Sequence, residues 1–335
     1  MQRGATSAPP TETAWSAWLP LAGAPNIAPH VLAETLDGGQ AFRWNRLAPT
    51  DDTWLGAWSD YIARLRLTPA GTLEWSAPTA LAPRVATALP RYLALDRDFA
   101  ALADSLPWRS DAHLARCLAE FPGLRLLRQP FGETLLGFLC SATKQIVQIK
   151  RMLALLAERH GAPLASPPSI SQLPSPISDS ASPISVPPSP TSELRSPISR
   201  LPTWPELAAI PEPQLRACQL GFRAKFISQA ARFLAAHPGW LDETESLPYA
   251  GAKARLCSLP GVGEKIADCV LLFGAGRLEA FPVDTWILQS LARRYGLADW
   301  RPAPLAQFGR AHFGPLAGLA QQYLFAWERR AARAP

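Results

Sequence analysis

Residues 254–289, ARLCSLPGVGEKIADCVLLFGAGRLEAFPVDTWILQ, decide how the chain folds. A helix ending near Cys257 runs into the tight turn Leu259-Pro260-Gly261-Val262-Gly263, and a second helix starts near Glu264. Gly261 and Gly263 are expected to supply the left-handed conformations such a turn needs and to let another backbone come close. The free N–H groups at the start of the second helix then point outward, a setting that suits a phosphate.

Within that second helix Lys265, Cys269 and Phe273 recur every four residues and share one face. Ile266, Ala267, Val270, Leu271 and Leu272 around them are apolar, so the helix is expected to be largely buried. An ammonium at the start of such a helix is costly unless it is paired or neutralised. The chain carries only five lysines against 28 arginines, which makes a lysine retained here informative. Further on, Phe281-Pro282-Val283-Asp284-Thr285-Trp286 sets an acid before an apolar-periodic helix that runs to about Tyr295, with Gly296 as its stop. As an N-cap, Asp284 is expected to bind the N–H groups of 286 and 287, which favours its ionised form. From these residues alone two readings stay open: a surface lysine with an ordinary helix cap, or an amine and a carboxylate working together.

Working outward, 335 residues suffice for two domains, each with its own core. A net charge of +6 fits a polyanionic partner, and the basic residues are scattered as on a folded face rather than gathered in a tail. The five cysteines (117, 140, 218, 257 and 269) form no CxxC pair and no metal-ligand spacing, as expected of reduced thiols in the cytosol. No cysteine follows Asp284, which excludes a C-terminal four-cysteine iron–sulfur loop. There is no signal-peptide core and no apolar run long enough to span a bilayer, so no membrane partner is expected.

Residues 1–24 read as a poorly ordered tail rich in Pro, Ala and Thr. From 25 to 108 short strands are expected near 40–44, 54–58, 63–67 and 73–75, with helical additions near 83–105. From 109 to 333 the chain reads as helical, with helices expected at 111–120, 134–141, 145–160 and 224–236. An insertion at about 164–201 interrupts it. Ser-Pro-Ile-Ser recurs there at 175, 182 and 196, and Ser and Pro dominate, a composition that cannot build a packed core. The fold class is therefore α+β: a small N-terminal antiparallel sheet domain followed by a mainly helical helix-hairpin-helix domain.

With its Pro-Val-Asp approach, the hairpin block resembles the helix-hairpin-helix DNA glycosylases. Gly38-Gly39-Gln40-Ala41-Phe42-Arg43-Trp44, Arg125-Leu126-Leu127-Arg128-Gln129, Gly221-Phe222-Arg223-Ala224 and Gly314-Pro315-Leu316-Ala317-Gly318, with Gln321 and Phe325, narrow the resemblance. Together they look like the eukaryotic-type 8-oxoguanine DNA glycosylase/AP lyases, in family order over roughly residues 33–330. The resemblance implies base-excision repair of damaged duplex DNA: 8-oxoguanine is flipped out and excised through a lysine Schiff base, with an associated lyase step.

Carried over residue by residue, the resemblance makes Lys265 the nucleophile and Asp284 the acid. The Gly39 carbonyl tests the oxidised base, Gln321 binds its Watson–Crick edge, Cys269 and Phe325 stack on it, and Phe273 lines the same wall. Phe222 is the aromatic wedge, and Arg223, Thr143 and the hairpin residues Gly261, Val262 and Gly263 face DNA. Backbone carbonyls of Cys257, Leu259 and Val262 hold a structural monovalent cation; no other cofactor is required. The sequence departs from the family at three places. Thr143 stands for the asparagine that pairs with the orphaned cytosine, Gln148 for a nearby arginine, and Trp286 for a phosphate-contacting histidine. A monomer is expected, cytoplasmic and nucleoid-associated, or nuclear in a eukaryotic source. The other readings are a glycosylase for another lesion such as an alkylated purine, and a non-catalytic helix-hairpin-helix DNA-binding module.

Overall fold

The computed structural model describes residues 13–48, 52–165 and 198–332. Strands β1 (Leu19–Pro20), β2 (Trp44–Arg46), β3 (Trp54–Trp58), β4 (Tyr61–Leu67) and β5 (Leu73–Ser76) form one sheet in the order β1-β5-β4-β3-β2. All its pairings are antiparallel. The alternation over β4 sends side chains to two faces. Ala63 and Leu65 join the main core, while Ile62 packs on the other face with Leu55 and Ala165. Trp44 is fully buried, stacks against Trp58 at 6.0 Å between centroids and donates from its indole nitrogen to the Tyr92 hydroxyl (3.1 Å).

The N-terminal expectations need correction. A poorly ordered tail is expected over 1–24, yet within residues 13–24 the strand Leu19–Pro20 joins the sheet and Trp15 forms a bridge; 1–12 lie outside the described residues. Leu19 pairs with Trp75, and Trp15 bridges to Pro78. The Arg64 guanidinium lies 4.1 Å from the Trp15 ring and 5.1 Å from Trp18, so cation–π contacts fasten this segment. A helix, α1 (Pro29–Asp37), also stands where only strands were expected. Its N-cap is Ala28, without a side-chain cap, so Pro at the start was its sole punctuation. The strand expected at 40–44 is displaced to β2.

Then come α2 (Ala82–Tyr92), α3 (Phe99–Asp104), α4 (Ala112–Glu120), α5 (Phe131–Leu139) and α6 (Ile146–His160). A ribbon of β6 (Pro163–Ala165) and β7 (Ile198–Ser199) follows. It brings together the ends of the Ser/Pro insertion, so residues 164–165 and 198–201 of the expected loop are ordered, while 166–197 lie outside the described residues. The chain continues through α7 (Trp204–Ala209), α8 (Glu212–Leu215), α9 (Arg223–Ala236), α10 (Trp240–Ser246), α11 (Tyr249–Cys257), α12 (Glu264–Phe273), α13 (Thr285–Tyr295), α14 (Pro302–Phe313) and α15 (Ala317–Ala331). No helix among the described residues is long and apolar enough to cross a membrane.

Helix α12 is the central element. Residues 266–273 are buried without exception, which explains why so few polar residues occur in it. Its single buried acid, Asp268, accepts from the Tyr249 hydroxyl (2.7 Å) and from Lys253 (3.0 Å), tying α12 to α11 across the turn. On the other side Gly318 lets α15 approach: a Cβ there would lie 2.3 Å from the Leu272 side chain.

Candidate active site

The site is a cavity of about 800 Å³. It lies among the segment after α1, the end of α5 with its following loop, α12, the approach to α13 and α15. Of the residues singled out in the sequence, Gly39, Thr143, Gly263, Lys265, Cys269, Phe273, Asp284, Gln321 and Phe325 all line it, and so does Trp286. Cys257, Leu259, Gly261, Val262, Phe222 and Arg223 do not.

Lys265 enters from the first turn of α12. Its Nζ donates to Ser141 Oγ (3.5 Å) and lies 5.4 Å from the Phe138 ring centroid. The side chain is half-buried rather than fully sequestered. One turn on, Cys269 is buried, and burial pushes its thiol up to about 12 despite the nearby Lys265, so it stays protonated at neutral pH. That suits a packing role in the cavity wall.

Asp284 is the N-cap of α13 and accepts from the Ile287 backbone N–H at 2.9 Å. The cap was expected to hold it ionised. Instead burial pushes its carboxyl above the ordinary carboxylate range, against the opposing pull of Lys265 and the N–H groups of Ile287 and Trp286. Desolvation is the larger effect because the acid stands at a cavity wall rather than in open water.

The base-facing wall is closely packed and heavily hydrogen-bonded. Gly39 has φ +92°, and a Cβ there would meet Ile146 at 3.0 Å and Phe325 at 3.4 Å. Gln40, fully buried, donates to Arg125 O (2.9 Å) and accepts from Leu127 N (2.8 Å), while Gln129 donates to its carbonyl. Upstream, Arg329 bonds Glu34 (2.9 Å) and reaches Asp37 O. The Gly39 carbonyl is thus held from both sides. Phe273 stacks on Phe138 (5.6 Å, 16°), and Phe42 meets Phe138 edge-on.

On the outer rim Phe222 is 51% exposed and Val147 75% exposed, two unprotected apolar side chains. Thr143 adopts φ +55°, an uncommon and strained conformation for a β-branched residue. Its hydroxyl accepts from Arg223 (3.0 Å), which also donates to Ala142 O; Arg223 is almost wholly buried. Gln148 is turned back onto the Gln145 N–H (3.2 Å) as part of a capping box.

The hairpin turn departs from expectation at one glycine. Gly261 has φ +81°, and a Cβ there would lie 2.8 Å from Phe226. Gly263 has φ −95° and serves as the N-cap of α12, not as a left-handed residue; nothing stands within 4 Å of where its Cβ would be. Its missing side chain leaves open space outside. Leu259 O accepts from Val262 N (3.1 Å), which leaves it a second lone pair. Among the described residues no group of three or more His, Cys, Asp or Glu is placed to hold a metal ion.

Phe138, Ser141, Val147, Gln322 and Arg329 border this cavity without having been singled out in the sequence. The only available signal was Gln322 and Arg329 sharing a helical stripe with Phe325.

Residues 26–135 match the family model described as 8-oxoguanine DNA glycosylase, N-terminal domain. The chain is 28% identical over 305 residues to the N-glycosylase/DNA lyase OGG1 of Arabidopsis thaliana, covering 87% of this chain and 75% of that one. Its structure matches the Clostridium acetobutylicum 8-oxoguanine glycosylase/lyase in complex with dsDNA containing cytosine opposite to 8-oxoG. The TM-score is 0.75 at 26% identity, over 90% of this chain and 92% of that one. It also matches MBOgg1 in complex with a low affinity DNA ligand, with a TM-score of 0.74 at 29% identity over 92% and 94% of the two chains. Sequence and structure point the same way: over most of its length the chain is similar to 8-oxoguanine DNA glycosylase/lyases, and residues 26–135 match the N-terminal domain of that family.

Proposed function

We propose that the protein binds damaged duplex DNA, flips out 8-oxoguanine, cleaves its glycosidic bond and then breaks the strand by β-elimination. The observation that carries this reading is one cavity lined by Lys265, Asp284, Gly39, Gln321 and Phe325, residues drawn from three distant parts of the chain.

Flipping a base costs a few kcal/mol, offset here by filling the gap with Phe222 and Val147 and by contacts in the cavity. Lys265 Nζ attacks the sugar C1′ as an uncharged amine, with Ser141 Oγ to orient it. Asp284 stabilises the oxocarbenium-like sugar; its raised proton affinity also lets it take the proton the amine releases. The Schiff base that results makes the sugar's 2′-hydrogen acidic, which opens the way to elimination.

Gly39 supplies the selectivity. Its carbonyl accepts from the N7–H of 8-oxoguanine but faces a lone pair in guanine. A hydrogen bond contributes about 0.5–1.5 kcal/mol and an unpaired buried group costs about 1–3 kcal/mol, so this contact yields roughly 10²–10³ in discrimination. The free N–H groups after Gly263 grip a DNA phosphate, assisted by a monovalent cation on the carbonyls of Cys257, Leu259 and Val262. The protein acts as a monomer on the cell's DNA, in the nucleoid or, in a eukaryotic cell, the nucleus.

Duplexes carrying 8-oxoguanine, an alkylated purine or no lesion test the reading. Release of 8-oxoguanine with strand scission is expected. Preferential release of the alkylated purine, or binding without any release, would overturn it.

A further inference from the structure

Helix α15 presents Gln321, Gln322, Phe325 and Arg329 to the cavity. Gln322 is only 2% exposed, and its Nε2 has no hydrogen-bond acceptor among the described residues. The Gln321 Oε1, one residue back and equally enclosed, has no donor. Arg329 on the same stripe differs: Glu34 and Asp37 O engage both of its terminal nitrogens. A buried amide donor left unpaired is a standing cost unless something that enters the cavity uses it. The wall therefore holds, side by side, one idle acceptor and one idle donor, close to Phe325, whose ring lies 3.4 Å from where a Gly39 Cβ would be.

We propose that Gln322 is a specificity-determining residue whose side-chain N–H donates to O8 of the extruded 8-oxoguanine. This rests on the 8-oxoguanine reading above. Oxidation of guanine adds a donor at N7 and an acceptor at C8, on adjacent ring atoms. The Gly39 carbonyl and the Gln322 amide form the matching acceptor and donor, so the oxidised edge is read at two points. Both glutamine amides turn from their enclosed positions toward the base as it enters.

The contact strengthens during the reaction. As the Lys265 Nζ–C1′ bond forms, the C1′–N9 bond breaks and its electron pair leaves on N9. In 8-oxoguanine N9 is conjugated with the C8 carbonyl, so the pair spreads onto O8. The proton that Nζ sheds to Asp284 then passes to the base and returns it to neutrality. A donor at O8 stabilises this departing anion, as oxyanion-type donors do, and guanine, which lacks O8, gains nothing from it.

The test compares wild type with Gln322→Met, which keeps the side chain's length and removes the donor. Single-turnover release of 8-oxoguanine is expected to slow by about ten- to a hundred-fold, as for loss of a hydrogen bond to a charged group. Strand scission at a preformed abasic site, where no base departs, stays within twofold, and the melting temperature does not fall. Equal release rates for the two proteins, or an equal loss at the abasic site, would overturn the proposal. A wild-type protein that fails to release 8-oxoguanine at all would instead overturn the functional reading beneath it.

Discussion

Lys265 and Asp284 attract one another across the cavity, yet the burial of Asp284 outweighs that attraction and leaves its carboxyl above the ordinary range. An acid whose folded pKa is raised contributes stability at low pH and loses it as pH rises through its titration. At neutral pH the ionised Asp284 therefore costs stability. Asp284→Asn keeps the bond to the Ile287 N–H, since an amide oxygen caps as well as a carboxylate. The variant is expected to melt higher than wild type near pH 7.5, with the gain vanishing in acid below the carboxylate range. Excision should meanwhile slow by about 10²–10³-fold. A variant less stable than wild type at pH 7.5 would contradict the burial argument.

Two glycines of the hairpin separate folding from DNA binding. Gly261→Ala forces a side chain into φ +81° and against Phe226, so a loss of about 1–3 kcal/mol is expected, read as a lowered melting temperature. Gly263→Ser leaves φ −95° undisturbed, retains a capping residue and adds atoms only on the open side. Its melting temperature should hold while affinity for duplex DNA falls several-fold, measured by fluorescence anisotropy. Equal melting temperatures for the two variants would refute this division.

Opposite-base preference follows from the rim. Thr143 is held by Arg223, Arg223 also serves Ala142 O, and Gln148 is spent on the Gln145 N–H. Few side-chain groups remain to read the orphaned base, and each neutral hydrogen bond contributes only about 0.5–1.5 kcal/mol. Excision rates opposite cytosine and opposite adenine are expected to lie within about tenfold of each other. A preference of several hundred-fold for cytosine would contradict the geometry.

What could be read in advance depended on local periodicity. Lys265, Cys269 and Phe273 share a helix face at spacing four, and the cap at Asp284 was visible beside them. Helix α1 was not, because it lacks a polar cap, and neither was the ordering of residues 13–20, which relies on rings meeting arginines some fifty residues away. The two hairpin glycines look alike in sequence, yet only the packing of Phe226 against one of them distinguishes their conformations. Ser141 and Phe138 reach Lys265 across more than 120 residues of chain, a distance no pattern spans. The state of Asp284 escaped for a related reason: its cap is local, whereas its desolvation comes from the whole cavity.

The claim that matters most is that the Lys265 amine joins covalently to the sugar. Borohydride added during the reaction with an 8-oxoguanine duplex should reduce the Schiff base and fix the protein to DNA as a slower band on a denaturing gel. Wild type should give that band, with the attached peptide mapping to Lys265, and Lys265→Gln should give none while still binding the duplex. Base release by wild type without any trapped band, or a band that persists in Lys265→Gln, would contradict the account.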